Sequence, residues 1–488
     1  MEWKPQKSSS TSLHQQISNY MKNKILNGEW TIGMKIPSQR MLAKQFDVNR
    51  STIVTALEEL AADGLVESKV GSGTRVVNNT WSLLATTPPP DWISYAHSGI
   101  YEPNINIIQK INEAEANSNI IRLGTGELSP DLLPNEQMKM FLQNDLVGTL
   151  PLGYEEPKGS LELRETISDY LKKKDIVAAP SSILIVSGAL QALQLISIGL
   201  LKRGSVIFHE TPSYLNSVHV FQSAGMNLFG VPIDSEGIKY DSIDRLKRQH
   251  HASLLYTIPS FHNPTGTLMS ERRRKQLIEV CKKEALPIIE DDVYGELWLD
   301  TPPPKPLKAN DRQGNVLYIG SISKSLSSGL GIGWIVGPEP VIDRLADIKM
   351  QTDYGSSSIS QYVVNKWIKS GLYEEYLNQV RLELKTRRDE TIRILNTYFS
   401  DLALWRIPKG GFYIWLKITP SISIRKLFEL ALQEGILLNP GNVYDKNEQQ
   451  HLRLSYAYAS LADLEKGLKR ISELIKTLTN IKTDIKIT

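Results

Sequence analysis

The chain has one cysteine, Cys281, in 488 residues, which excludes an intrachain disulfide framework and fits a reducing compartment. It has no apolar run of about 18 residues able to span a bilayer. The start, Met1-Glu-Trp-Lys-Pro-Gln-Lys-Ser, offers no apolar signal core, so a cytoplasmic protein with no membrane partner is expected. Eight scattered histidines and the single thiol give no metal-ligand spacing, and no metal is expected. Internal repeats and low-complexity tracts are also missing. A composition of 41% hydrophobic and 22% charged residues excludes disordered and collagen-like classes, and the length predicts two or three domains.

Charge of either sign is scarce in net terms, at +3 overall. The whole excess lies in residues 1–78, where ten Lys/Arg stand against seven Asp/Glu. That is a modest electrostatic footprint for a nucleic-acid partner, consistent with one without establishing it.

The same 78 residues carry a helical pattern. Leu13, Ile17, Tyr20, Met21 and Ile25 recur at three- and four-residue intervals, and Asn27-Gly28 is a stop. Ser38, beside Pro37, is a natural N-cap for a second helix with Met41, Leu42 and Phe46 inward. A third helix from about Asn49 to Ala62 buries Ile53, Ala56, Leu57 and Leu60, with Arg50, Ser51 and Thr52 at its start. Leu65–Val70, the Gly71-Ser-Gly73 turn and Thr74–Val77 then form a hairpin. Helix-turn-helix followed by a hairpin predicts an α+β winged helix over residues 1–78. Its candidate DNA-binding residues are Ser38, Arg40, Arg50, Ser51, Thr52, Lys69, Gly71, Gly73 and Thr74.

Residues 79–119, which include Thr86-Thr-Pro-Pro-Pro-Asp91, are expected to be a linker. From 120 to 488, short apolar runs such as Ile183–Val186, Val206–Phe208, Leu254–Tyr256, Pro287–Ile289 and Val316–Ile319 alternate with helical stretches. That alternation predicts a mostly parallel α/β sheet. A helical region from about Ser358 to Tyr398, then Gly410–Leu416, a helix near Ile424–Glu434 and Leu452–Ser455, predict a smaller α+β lobe. The polar tail after Lys476 is expected to fray.

Three motifs in order give this second part its chemistry: Asn263-Pro-Thr-Gly266, Glu290-Asp-Asp-Val-Tyr-Gly-Glu296 and Ser321-Ile-Ser-Lys324. Pyridoxal 5'-phosphate needs a lysine for its aldimine, an acid at its ring nitrogen, a phosphate cradle and a stacking face. Lys324 supplies the amine. Asp291 would keep the ring nitrogen protonated; Asp292 competes for that role, and the Asp-x-x-Tyr spacing favours Asp291. Tyr294 and Asn263 would meet the ring's phenolic oxygen. Ser187, Gly188, Ala189 and Leu190, between a strand and a helix, offer backbone N–H groups to phosphate, and Ser321 and Ser323 add hydroxyls. Tyr214 is the stacking candidate, and Arg453 would grip a substrate carboxylate.

On these motifs, residues 120–488 resemble the fold type I aminotransferases, and residues 10–78 resemble the GntR winged-helix domain. The combination resembles the MocR/GabR family of bacterial regulators. Gly153-Tyr154, Gly159 and Leu163-Arg164 also match the family's early segment. The resemblance implies a homodimer in which Tyr154 reaches the neighbouring subunit's phosphate. One departure stands out: relatives usually carry a phosphate-binding arginine seven residues after the lysine, where this chain has Gly331. Loss of such a contact costs on the order of 1.5–3 kcal/mol, which points to weak, reversible cofactor binding. Ala189 and Leu190 likewise stand where relatives often carry serine and glutamine.

The function expected is a transcriptional regulator that binds paired half-sites on double-stranded DNA. It would sense pyridoxal phosphate, a small amino compound, or both, through Lys324. A catalytically active aminotransferase and a cofactor-free DNA-binding dimer are the alternatives.

Overall fold

The computed structural model describes residues 3–69, 73–78, 92, 94, 95, 106–144 and 153–485. The chain divides into two compact units, Met1–Ile100 and Tyr101–Thr488. Gly71 and the Thr86–Asp91 segment lie outside the described residues.

In the first unit, helices α1 (Leu13–Leu26), α2 (Gln39–Phe46) and α3 (Arg50–Ala62) precede the antiparallel strands β1 (Val66–Lys69) and β2 (Gly73–Val76). Ser38 caps α2 as expected, its Oγ accepting from the Met41 N–H at 3.4 Å. Ile17, Met21, Ile25, Leu42, Phe46, Ile53, Leu57, Leu60 and Val76 close one core. Trp3 stacks on Tyr20 with ring centroids 4.1 Å apart and meets the edge of Phe46. Met41 departs from expectation: Leu42 and Phe46 set the buried stripe of the short α2, and Met41 is 63% exposed.

The second unit is built on an eight-stranded sheet. After the short β3 (Ile121–Arg122), its strands are β4 (Ile183–Val186), β5 (Val206–Thr211), β6 (Asn227–Asp234), β7 (Gly237–Ile238), β8 (Ala252–Thr257), β9 (Ile288–Asp291), β10 (Val316–Ser321) and β11 (Gly333–Val336). Their spatial order is β4-β11-β10-β9-β8-β5-β6-β7. Pairing is parallel from β10 through β6, whereas β11 runs against both neighbours and β7 against β6. Continuous apolar runs suit strands covered on both faces: β4, β9, β10 and β11 are buried at every position.

A four-stranded antiparallel sheet built around Tyr413–Ile418 and His451–Ser455 forms the smaller lobe. The expected helix over Ser358–Tyr398 is two helices, Ser358–Lys369 and Leu372–Tyr398, parted at Gly371 with φ +82°. The last helix runs unbroken from Leu461 to Ile485, past the point where fraying was expected. A further difference concerns residues 79–119. Asn106–Glu115 is a helix whose Ile108, Ile111 and Ala114 are buried in the core of the second unit. Its apolar spacing was masked by the weak pattern of the proline-rich stretch before it.

Candidate functional site

The parallel strands carry their last residues to one edge, the usual place for an α/β ligand site. Asp291 ends β9, Ser321 ends β10, Ser187 follows β4, and Asn263 lies in the turn after β8. These residues line one cavity of about 590 Å³, together with Gly188, Ala189, Leu190, Tyr214, Tyr294, Ser323, Lys324 and Arg453. Eleven sequence-predicted cofactor positions and the predicted carboxylate grip therefore converge. Tyr154 does not: it is 84% exposed and packs against the Tyr354 ring 5.0 Å away.

Lys324 Nζ donates to the Gly126 carbonyl at 2.7 Å. Asp291 is buried and accepts from the Tyr256 hydroxyl at 2.7 Å and the Val293 N–H at 3.4 Å. Burial pushes its carboxyl up to about 6, although the Tyr256 bond favours the charged form. Strand alternation separates it from Asp292, which faces another pocket and accepts from Tyr318 OH at 2.9 Å and Lys174 Nζ at 3.0 Å. Among the described residues Asp291 forms no ion pair, and the Lys324 charge acts on it only from beyond contact.

Asn263 links two groups that the sequence placed separately. Its Nδ2 donates to Tyr294 OH at 3.4 Å, and its Oδ1 accepts from Arg453 Nη1 at 2.9 Å. Arg453 also donates to the Gly124 carbonyl at 2.7 Å and lies over the Tyr413 and Tyr444 rings, 4.2 and 4.7 Å from their centroids. Turned to satisfy both ends of its amide, Asn439 accepts from Arg453 Nη2 at 3.0 Å and from Tyr444 OH at 3.1 Å. Arg453 is 6% exposed, its Nε has no hydrogen-bond partner, and no carboxylate pairs with it among the described residues. A buried guanidinium so placed is costly unless an anion reaches it.

The phosphate cradle differs from expectation at Ser187. Its N–H is taken by Gln191 Oε1 at 2.7 Å, and its hydroxyl lies 3.2 Å from that of Ser356. Free first-turn donors are left at Gly188, Ala189 and Leu190, which begin the helix Gly188–Leu200. Ser321 and Ser323 hydroxyls lie 3.1 Å apart. Gly331 has φ +61°, and a Cβ there would have no heavy atom within 4 Å.

Sequence reasoning missed Tyr413, whose hydroxyl lies 3.1 Å from that of Tyr294, and Tyr256 behind Asp291. The Gly410-Gly-Phe-Tyr turn and the tyrosine near the end of the strand beside β9 were the available signals. Among the described residues, no three His, Cys, Asp or Glu side chains are placed to hold a metal. None of the described helices is long and apolar enough to cross a membrane.

The chemistry of this set fits pyridoxal phosphate: a lysine amine, a buried carboxylate with no ion-pair contact among the described residues, backbone and hydroxyl donors for phosphate, and hydroxyls near Asn263. Asp291 gives a testable sign. Its raised value favours the folded state fully below about pH 4, and that contribution is lost as pH rises through about 6. The interval from the ordinary 3.8 to about 6 corresponds to roughly 3 kcal/mol. Asp291→Asn should therefore stabilise the cofactor-free protein at pH 8, with the gain shrinking toward pH 4, while weakening cofactor binding. Thermal melts across that range, with and without pyridoxal phosphate, check both signs.

In the first unit, Arg50 Nε and Nη2 donate to Gln39 Oε1 at 3.0 and 2.9 Å, so the guanidinium is held by a neutral amide rather than by a carboxylate. Arg40 is exposed and forms no ion pair among the described residues, whereas Lys69 lies 3.6 Å from Glu67. Ser51 is exposed and Thr52 half-buried at the start of α3, where Asn49 makes no side-chain cap. Gly73 adopts φ +86° beside Lys35. Thr74 departs from expectation: the alternation of β2 turns it inward, its hydroxyl 2.7 Å from that of Ser68, and its carbonyl accepts from the Ile36 N–H at 2.9 Å.

Residues 13–76 match the bacterial regulatory proteins of the gntR family, and residues 118–471 match aminotransferase class I and II. The chain is 56% identical to the uncharacterised HTH-type transcriptional regulator YisV of Bacillus subtilis, over 98% of this chain and 99% of that one. It is 37% identical to the HTH-type regulator NorG of Staphylococcus aureus, over 91% and 100%. Among solved structures, a kynurenine aminotransferase of Pyrococcus horikoshii in complex with PMP superposes with a TM-score of 0.73 at 30% identity, covering 77% of this chain and 95% of that one. An archaeal alanine:glyoxylate aminotransferase gives 0.75 at 28%, covering 80% and 100%. The chain thus belongs to the aminotransferase class I and II family, in the MocR/GabR-type branch of HTH-type transcriptional regulators, where a DNA-binding GntR winged helix is joined to an aminotransferase fold.

Proposed function

We propose that this regulator senses pyridoxal phosphate together with a small amino compound, and that it works as a cytoplasmic homodimer on paired DNA half-sites. One observation carries the sensing: the buried Arg453 guanidinium, which pairs with no carboxylate among the described residues, faces the same cavity as Lys324 and Asp291. Bound pyridoxal phosphate supplies an aldehyde for the amine and an electron-withdrawing ring. Lys324 Nζ presents that amine, and the Gly126 carbonyl orients it. Asp291 holds a proton at the ring nitrogen, with Tyr256 fixing the carboxylate. Asn263, Tyr294 and Tyr413 gather donors at the ring's oxygen, Tyr214 covers a ring face, and Arg453 binds an incoming carboxylate. By the family resemblance, Tyr154 completes the partner's phosphate site.

In the winged helix, Arg40, Arg50, Ser51 and Thr52 on α2 and α3, and Lys69 and Gly73 on the wing, contact the duplex. Ligand binding alters DNA affinity to the extent that two arrangements of the dimer bind ligand unequally.

A second reading, a full-turnover aminotransferase, draws on the same lysine and on the hydroxyls around Asn263. Sustained turnover with an amino donor and a keto acid separates the two. The regulator reading expects at most one equivalent of product per subunit; many equivalents would overturn it.

Gly331 makes the cofactor itself exchangeable in this account. Gly331→Arg adds a charge-assisted contact of about 1.5–3 kcal/mol, whereas the left-handed backbone there costs about 1–2 kcal/mol of folding stability in free and loaded protein alike. The expectation is roughly ten- to hundredfold tighter pyridoxal phosphate binding with a lower melting temperature. Equilibrium titration of the cofactor absorbance checks it, and unchanged or weaker binding would contradict a missing cation.

A further inference from the structure

Beside Arg453, Lys324 and Asp291, the cavity holds charge that the proposed chemistry does not use. The helix Asn106–Glu115 precedes the residues that match the aminotransferase family, and it lines the cavity with Ile108, Ile111, Asn112 and Glu115. Among the described residues Glu115 accepts one hydrogen bond, from Thr125 Oγ1 at 2.7 Å. Thr125 in turn precedes Gly126, whose carbonyl takes Lys324 Nζ. Glu115 is therefore tied to the wall beside the reactive amine.

Two features leave this carboxylate short of positive charge. It sits at the C-terminus of its helix, where the backbone dipole disfavours an anion, and that last turn contains no basic residue. Among the described residues it also forms no ion pair. Arg453 feels its charge, yet the two do not approach within ion-pair distance. Arg122, the third basic side chain in the wall beside Arg453 and Lys324, donates to Tyr458 OH at 2.8 Å and lies over that ring. A guanidinium and a carboxylate, each without a countercharge in contact, thus face one space.

We infer that the amino compound sensed here is a diamino or guanidino acid, with its carboxylate on Arg453 and its distal cation on Glu115. This inference rests on the sensing function proposed above and names its ligand class.

The test uses the full-length protein loaded with pyridoxal phosphate and reads the change in cofactor absorbance on adding L-lysine, L-ornithine, L-norleucine or L-glutamate. L-Norleucine matches the length of L-lysine without the distal amine. The expected result is that L-lysine or L-ornithine binds roughly tenfold or more tightly than L-norleucine. In Glu115→Gln that ratio should fall to about one, and in Glu115→Lys the preference should pass to L-glutamate, an inversion that an unfolded variant could not give. Equal affinity for lysine and norleucine, or a preference that survives Glu115→Gln, overturns the inference while leaving amine sensing intact. If no amine changes the spectrum of cofactor-loaded protein, amine sensing itself fails, and this inference with it.

Discussion

Lys324→Ala should abolish covalent retention of pyridoxal phosphate. Wild-type protein mixed with the cofactor and reduced with borohydride should carry the label on the peptide containing Lys324; the variant should carry none. The expectation rests on position rather than on lysine content. Lys324 Nζ is the lysine amine in the cavity, held at 2.7 Å by the Gly126 carbonyl and set among Asp291, Ser321 and Ser323. Removing it leaves the phosphate donors of the helix at Gly188 and the Asp291 carboxylate, so weak non-covalent binding should persist. A label elsewhere in the wild type, or an unchanged adduct in the variant, would remove the premise of a cofactor sensor and favour a cofactor-free DNA-binding dimer.

Arg50→Ala should lower affinity for specific DNA by roughly five- to a hundredfold, because one well-placed arginine contact contributes about 1–3 kcal/mol. Arg50 begins α3 and is held by two bonds to Gln39. That tether fixes its direction without cancelling its charge, as a carboxylate partner would. Since the side chain is exposed and outside the apolar core, the substitution should leave the melting of the winged helix almost unchanged. Competition binding at several salt concentrations separates the cases. If Arg50 meets phosphate, the salt slope falls by about one; if it reads a base, specificity relaxes at one position. Retained affinity and specificity would displace the recognition surface from the start of α3.

Much of this architecture was legible because spacing and order are local properties. The apolar stripes of α1 and α3 and the Ser38 cap follow from the periodicity around Ile17, Ile53 and Pro37. The strand ends that bear Asn263, Asp291 and Ser321 follow from short apolar runs broken by polar turns. Orientation was legible only where alternation had an anchor. Asp291 and Asp292 were separable by the Tyr294 spacing, and the structure sends them to opposite faces of the sheet. Met41 and Thr74 were misplaced because an eight-residue helix and a four-residue strand contain too few positions to fix a buried face.

What escaped the sequence is long-range. Glu115, Gly126 and Tyr413 lie 209, 198 and 89 residues from Lys324, and nothing in their local pattern announces a shared cavity. The helix bearing Glu115 was hidden for a further reason: it follows a proline-rich stretch and is stabilised by burying Ile108 and Ile111 against a distant core.

The account joins a cofactor site to a DNA reader, and its most direct test measures both at once. DNA fragments selected by the full-length protein from the source genome would be titrated with protein alone, with pyridoxal phosphate, and with pyridoxal phosphate plus L-lysine. Affinity or footprint should change with ligand in the wild type and stay constant in Lys324→Ala, which keeps its winged helix. Identical binding curves under all three conditions would contradict the claim that the aminotransferase fold governs the DNA reader.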